Sequence, residues 1–197
     1  MTRTNTVTNV TAGKPAIEGA IFRAPLSVNP TIPTSADATL TNDFVPLGYV
    51  SEDGMTNSNS PDSDTIKAWG GDVVLTIQNE KTDEFELTLI EALNTEVLKV
   101  IYGSSHVSGT MATGLTVEAT ADEPEEGVWV IDMLLRGGVL KRIVIPDGKV
   151  SEMDDIEYTD EDPVGFGLTI QAMPDANGVT HYEYFKQPTT GTATIGE

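Results

Sequence analysis

The stretch Val73-Val74-Leu75-Thr76-Ile77-Gln78, followed by Asn79-Glu80-Lys81-Thr82-Asp83 and then Glu84-Phe85-Glu86-Leu87-Thr88-Leu89, decides the fold class. Val73, Leu75 and Ile77 point one way, and Val74, Thr76 and Gln78 the other. Phe85, Leu87 and Leu89 alternate with Glu84, Glu86 and Thr88. A period of two belongs to strands with one face on a core, because successive side chains leave a pleated backbone on opposite sides. The polar run 79–83 reads as the turn of a hairpin joining the two strands.

Downstream the pattern repeats. Leu115, Val117 and Ala119 alternate with Thr116 and Glu118, and Trp129, Ile131, Met133 and Leu135 share one face of the next strand. Gly137-Gly138 is a turn signal leading into 139–145. Strands are expected at 150–158 and 164–173, and Asp175-Ala176-Asn177-Gly178 turns the chain into a last strand at 181–186. One helix interrupts the series at about 94–102: Asn94 is an N-cap, Glu96 lies in the first turn, and Gly103 stops it. Leu93, Val97, Val100 and Ile101 form its apolar stripe.

Upstream the signal weakens. Residues 1–44 are rich in Thr, Asn, Ala and Pro, and only Ala20-Ile21-Phe22-Arg23 is strand-like. They are expected to form an extended N-terminal arm. Phe44-Val45-Pro46-Leu47-Gly48-Tyr49-Val50 reads as the first firm strand. The run 51–67 of Ser, Asn, Asp, Gly and Pro reads as a loop, and a structureless connection that long is usually functional or disordered. Taken to its end the long loop spans 51–72. One mainly β domain, a sandwich or barrel-like unit with a flanking helix, therefore spans 45–186, and 187–197 is a frayed tail.

Composition excludes several functions. The chain has 197 residues, with 31 Asp and Glu against 11 Lys and Arg, a formal net charge of −20. Tight nucleic-acid binding needs clustered cations, and the densest basic cluster is Lys141-Arg142. Without cysteine there is no disulfide and no thiolate metal site. Met1-Thr2-Arg3-Thr4-Asn5 lacks the apolar run of an export signal, and no run of about 18 apolar residues suggests a membrane anchor. His106 and His181 stand apart in sequence with no nucleophile pattern around them, and Gly103-Ser104-Ser105-His106-Val107 departs from a nucleophile elbow at its last position. The acidic runs 154–162 and 62–64 do not match a Ca²⁺ loop. No catalytic, cofactor-binding or metal residue is assigned; the expectation is a structural protein and not an enzyme.

Met55, Ile66 and Trp69 are poor choices for a solvated loop, as are Ile17, Ile21 and Phe22 for a solvated arm. Aromatic and Met side chains are favoured at interface centres, so these six are the candidate contacts with neighbouring copies.

The chain also resembles the tail tube proteins (major tail proteins) of long, non-contractile-tailed bacteriophages. The resemblance is carried by Leu47-Gly48-Tyr49-Val50-Ser51-Glu52-Asp53-Gly54, Ile66-Lys67-Ala68-Trp69-Gly70-Gly71, Asn94-Thr95-Glu96-Val97-Leu98-Lys99-Val100-Ile101-Tyr102-Gly103, Arg136-Gly137-Gly138-Val139-Leu140-Lys141-Arg142 and His181-Tyr182-Glu183-Tyr184. It implies a β-sandwich with a flanking helix and a long inter-subunit loop, hexameric rings, and a stacked hollow tube that conducts DNA during ejection. It implies a place in the virion tail after synthesis in the bacterial host cytoplasm. The partners implied are other copies of the chain, a tape-measure protein, tail-terminator and distal tail proteins, and a tail assembly chaperone. The alternatives are a β-sandwich module binding a small ligand or Ca²⁺, and another virion part such as a head decoration or tail-completion protein.

Overall fold

The computed structural model describes residues 6–16 and 19–188; Ile17 and most of the C-terminal tail lie outside them. The fold is mainly β, sandwich-like and not a closed barrel. Nine of its strands form one antiparallel sheet: β1 (Lys14–Pro15), β2 (Ile21–Pro25), β3 (Val45–Pro46), β4 (Val50–Lys67), β5 (Val73–Leu89), β8 (Gly127–Leu134), β9 (Leu140–Met153), β10 (Phe166–Ala172) and β11 (Tyr182–Lys186). The order is β3-β2-β8-β9-β10-β5-β4, with β1 also on β8 and β11 also on β9. The short β6 (Val107–Thr110) and β7 (Gly114–Val117) make a separate hairpin.

Alternation along the strands puts a core on each face. Ile21, Phe85, Leu87, Trp129, Ile131, Ile143, Ile145 and Ile170 build the larger one, which α1 (Thr95–Tyr102) and Val107 of β6 cover. Trp129 is completely buried and its indole N–H donates to Gly148 O at 3.1 Å. A Cβ on residue 148 would stand 2.7 Å from that indole ring, so the close approach requires glycine. Ala24, Phe44, Val128, Val130 and Val144 form the smaller core on the opposite face, with Leu26 and Leu40 packed on it.

The helix follows the sequence reading. Asn94 Oδ1 accepts from Glu96 N at 3.0 Å, and the Gly103 N–H caps Lys99 O. Leu93 is exposed, however, and Leu98 takes its place among the buried residues Val97, Val100 and Ile101. Asn94→Ala should lower stability by about 1 kcal/mol, the usual value of an N-cap. Urea titration of the two proteins measures it, and equal midpoints would remove Asn94 from the account.

Four expectations require correction. First, 51–67 is not a loop: it is most of β4, paired with β5 from Met55↔Leu87 to Lys67↔Val73. Backbone pairing needs no apolar side chains, and a strand solvated on both faces shows no alternation to read. Pro61 fits because β4 is an edge strand. Second, 79–83 is not a turn but the middle of β5. Third, the strands read at 139–145 and 150–158 are one continuous β9, which ends at Met153. Finally, the extended arm expected over 1–44 is in part a strand of this chain's own sheet. β2 lies inside the sheet between β3 and β8, and Ile21 is only 1% exposed.

Candidate assembly interface

Where β5 leaves the sheet decides what the hairpin can do. β10 pairs with β5 from Phe166↔Leu89 to Gln171↔Glu84 and no further. From Asp83 outward β4 and β5 continue as a two-stranded ribbon, and residues 73–82 carry it roughly 30 Å beyond the sheet at about 3.3 Å per residue. At its tip Ala68 N–H donates to Asp72 O (2.8 Å) and Gly71 N–H to Ala68 O (3.0 Å). Gly70 and Gly71 stand at φ 116° and 101°, values that other residues rarely adopt.

A two-stranded ribbon has no interior, yet this one carries Ile66, Trp69, Val73, Val74, Leu75 and Ile77, all exposed. Trp69 is fully so, at 107%. The pairings Ile66↔Leu75 and Asp64↔Ile77 place Ile66, Leu75 and Ile77 on one face. Exposed apolar side chains gathered in this way make the ribbon a candidate binding surface.

Only part of the candidate set gathers here. Ile66 and Trp69 sit on the distal ribbon. Met55 is half-buried at the base, opposite Leu87 and against the larger core. Phe22 is half-buried against the smaller core and Ile21 is fully buried in the larger one, so both serve this chain's own packing. Val73, Val74, Leu75 and Ile77 join the candidate set by their exposure, although their alternation in the sequence reads as a core strand. The signal that distinguishes them is the partner strand: 62–65 holds Asp62, Ser63, Asp64 and Thr65, with nothing to complete a core.

A buried polar cluster holds the ribbon's base. Asp83 is 2% exposed and continues the core-facing row of Leu89, Leu87 and Phe85. Its Oδ1 accepts from Asn57 Nδ2 at 2.9 Å; its Oδ2 accepts from Thr180 Oγ1 at 2.5 Å and lies 2.5 Å from His181 Nδ1. Burial pushes this carboxyl upward, but the hydrogen bonds from Thr180, Asn57 and His181 outweigh it and hold its pKa below the ordinary carboxylate value. His106 has a structural role too, its Nε2 lying 2.8 Å from Asp122 Oδ2 in a surface loop.

On the sheet face opposite the helix, Thr56, Glu86, Thr169 and Glu152 stand in one row across four paired strands. With Asp53 and Asp154 they line a shallow polar cleft. The basic cluster Lys141-Arg142 is neutralised within the chain: Lys141 pairs with Glu183 at 2.7 Å, and Arg142 with Asp132 at 2.6 Å.

Comparison with known proteins places these features. The sequence profile described as "Phage tail tube protein" matches residues 5–194. Among solved structures, the chain is similar to the tube-terminating cap of the anti-feeding prophage, at TM-score 0.43 and 10% identity over 90% of this chain and 96% of that one. It is also similar to the sheath/tube terminator of the extracellular contractile injection system PVC in its extended state, at TM-score 0.39 and 9% identity over 86% of this chain and 96% of that one. No curated protein matches the sequence. With the profile spanning nearly the whole chain, this protein belongs to the phage tail tube protein family.

Proposed function

We propose that copies of this chain close into hexameric rings that stack into the tail tube of a long, non-contractile-tailed phage, and that DNA passes through the bore during ejection. Family membership makes the protein a structural, non-enzymatic component of a phage tail. The observation that carries the finer reading is the distal ribbon, whose apolar side chains have no core of their own chain to join. Ring closure would also give the edge strands β3 and β4 partners, which removes the hazard of exposed edges. A tape-measure protein would occupy the bore before ejection, tail-terminator and distal tail proteins would meet the tube ends, and a tail assembly chaperone would hold the chain before assembly.

The face bearing Glu84, Glu86 and Glu152, with Thr56, Thr169 and Gln171 between them, is the candidate lining of the bore. Six copies at −20 each carry −120, so DNA in the bore would meet repulsion rather than the counterion-release attraction of a basic surface. Negative-stain microscopy of the concentrated protein should show rings or tubes, and tubes incubated with DNA at physiological salt should retain none. A protein that stays monomeric at every concentration and salt, including salt high enough to screen the charge, would count against assembly. Retained DNA would overturn the electronegative bore.

A further inference from the structure

We infer that Asp83 is a positioning node that fixes the angle at which the β4–β5 ribbon leaves the body, and so presets where its apolar tip meets a second copy. The inference rests on the assembly proposed above. Asp83 is the first residue of β5 past the last β10 pair, Gln171↔Glu84, so it stands where a braced strand becomes a free one. Three chain segments converge on its carboxylate: Asn57 from β4, Asp83 itself from β5, and Thr180 and His181 from the connection between β10 and β11.

That connection is itself braced. Gly178 N–H donates to Asp175 O and Asp175 N–H to Val179 O, at 2.9 and 3.0 Å. Asp175 Oδ1 accepts from the N–H groups of Asn177 and Val179, and Asp175 Oδ2 from the Tyr182 hydroxyl at 2.8 Å. The His181 ring meets Phe85 edge-on, with centroids 5.2 Å apart, and so closes the end of the larger core. A hydrogen-bonded strap is thus joined to a ribbon that no third strand braces, at one buried carboxylate. Two-stranded ribbons twist and bend readily when nothing packs on them, so the anchored end sets the direction of the whole.

An ionised carboxylate only accepts, which suits three donors. Asp83→Asn puts an amide N–H₂ among them, so at least one donor loses its acceptor while the side-chain volume is kept. The chain has no cysteine, so labels can be placed at will. Spin labels on Ala68→Cys at the ribbon tip and Asp155→Cys on the body report the ribbon's direction in dilute, unassembled protein. The parent should give a narrow distance distribution and Asp83→Asn a broad one. Assembly by light scattering should then need a critical concentration raised about tenfold, the size expected when one hydrogen-bonded node of pre-organisation is lost.

Equal distributions in parent and variant overturn the node, whether or not tubes form. A broadened distribution in a protein that never assembles keeps the node and removes the assembly reading instead. Should Asp83→Asn fail to fold, Thr180→Val removes a single donor and is read in the same way.

Discussion

Replacing residues 62–80 by an Asn-Gly turn should yield a folded protein that forms no rings or tubes at any concentration. The new turn would join Pro61 to Lys81, a pair already opposed in the ladder, and two-residue Asn-Gly turns suit antiparallel strands. Folding should survive because neither hydrophobic core draws a buried residue from the ribbon beyond Asp83. Assembly should not survive, because the exposed apolar residues Ile66, Trp69, Leu75 and Ile77 go with the ribbon. Trp69→Ala is the milder version. A Trp anchor in an interface centre contributes about 2 kcal/mol or more, which raises the critical concentration roughly 30-fold. Ile21→Ala is the contrast: at 1% exposure it should cost about 2–5 kcal/mol of folding stability, as buried Ile truncations do. Light scattering reads assembly and urea titration reads folding. Normal assembly of the shortened chain, or its collapse to an unfolded one, would contradict this account of the ribbon.

The sequence was legible where a face was buried. Trp129, Ile131, Phe85, Leu87 and the helix stripe Val97, Val100 and Ile101 all announced their positions, because burial imposes a period and the period can be read. It misled where the two criteria separate. β4 is a strand by backbone pairing, yet both its faces are polar along most of its length, so nothing in 56–65 distinguishes it from a loop. β5 fails in the other direction: Val73, Leu75 and Ile77 alternate as a core strand does while standing in solvent. Asp83 was hidden for a third reason. A buried acid in the middle of a strand looks like a turn residue until its donors, Asn57, Thr180 and His181, are brought to it from distant parts of the chain. Of the candidate contacts, Ile66 and Trp69 stand exposed on the ribbon, and both are conspicuous in the sequence as apolar side chains in a polar run. The same reasoning wrongly recruited Ile21 and Phe22, since it had no view of β8, the strand that receives them.

Arg142→Leu should destabilise the protein by about 3 kcal/mol, while Asp132→Leu/Arg142→Leu should recover part of the loss. The two residues face each other across β8 and β9, with Arg142 Nε and Nη2 donating to Asp132 Oδ1 and Oδ2 at 2.6 and 2.7 Å. Arg142 Nη1 also donates to Ala38 O at 2.6 Å and Ser35 O at 3.3 Å, so the guanidinium bolts residues 35–38 onto the smaller core's side of the sheet. Removing the arginine alone strands a largely desolvated carboxylate, which costs about 3–5 kcal/mol when a pair is buried. The low end applies because the Asp132 side chain keeps 18% exposure against 6% for Arg142. Removing both ends that penalty and leaves only the lost bonds to the two carbonyls. Urea titration of parent, single and double variants gives the three stabilities. A single-variant loss below about 1 kcal/mol would make this an ordinary surface pair, and a double variant no more stable than the single would show that the stranded charge is not the cause. The pair also bears on the proposed bore. Lys141 lies with its ammonium 5.2 Å from the Phe185 ring centroid and paired to Glu183, while Arg142 is held by Asp132 and two carbonyls. The densest basic cluster in the chain therefore has its charge and its donors engaged inside the subunit, which leaves the acidic side chains to set the potential that passing DNA would meet.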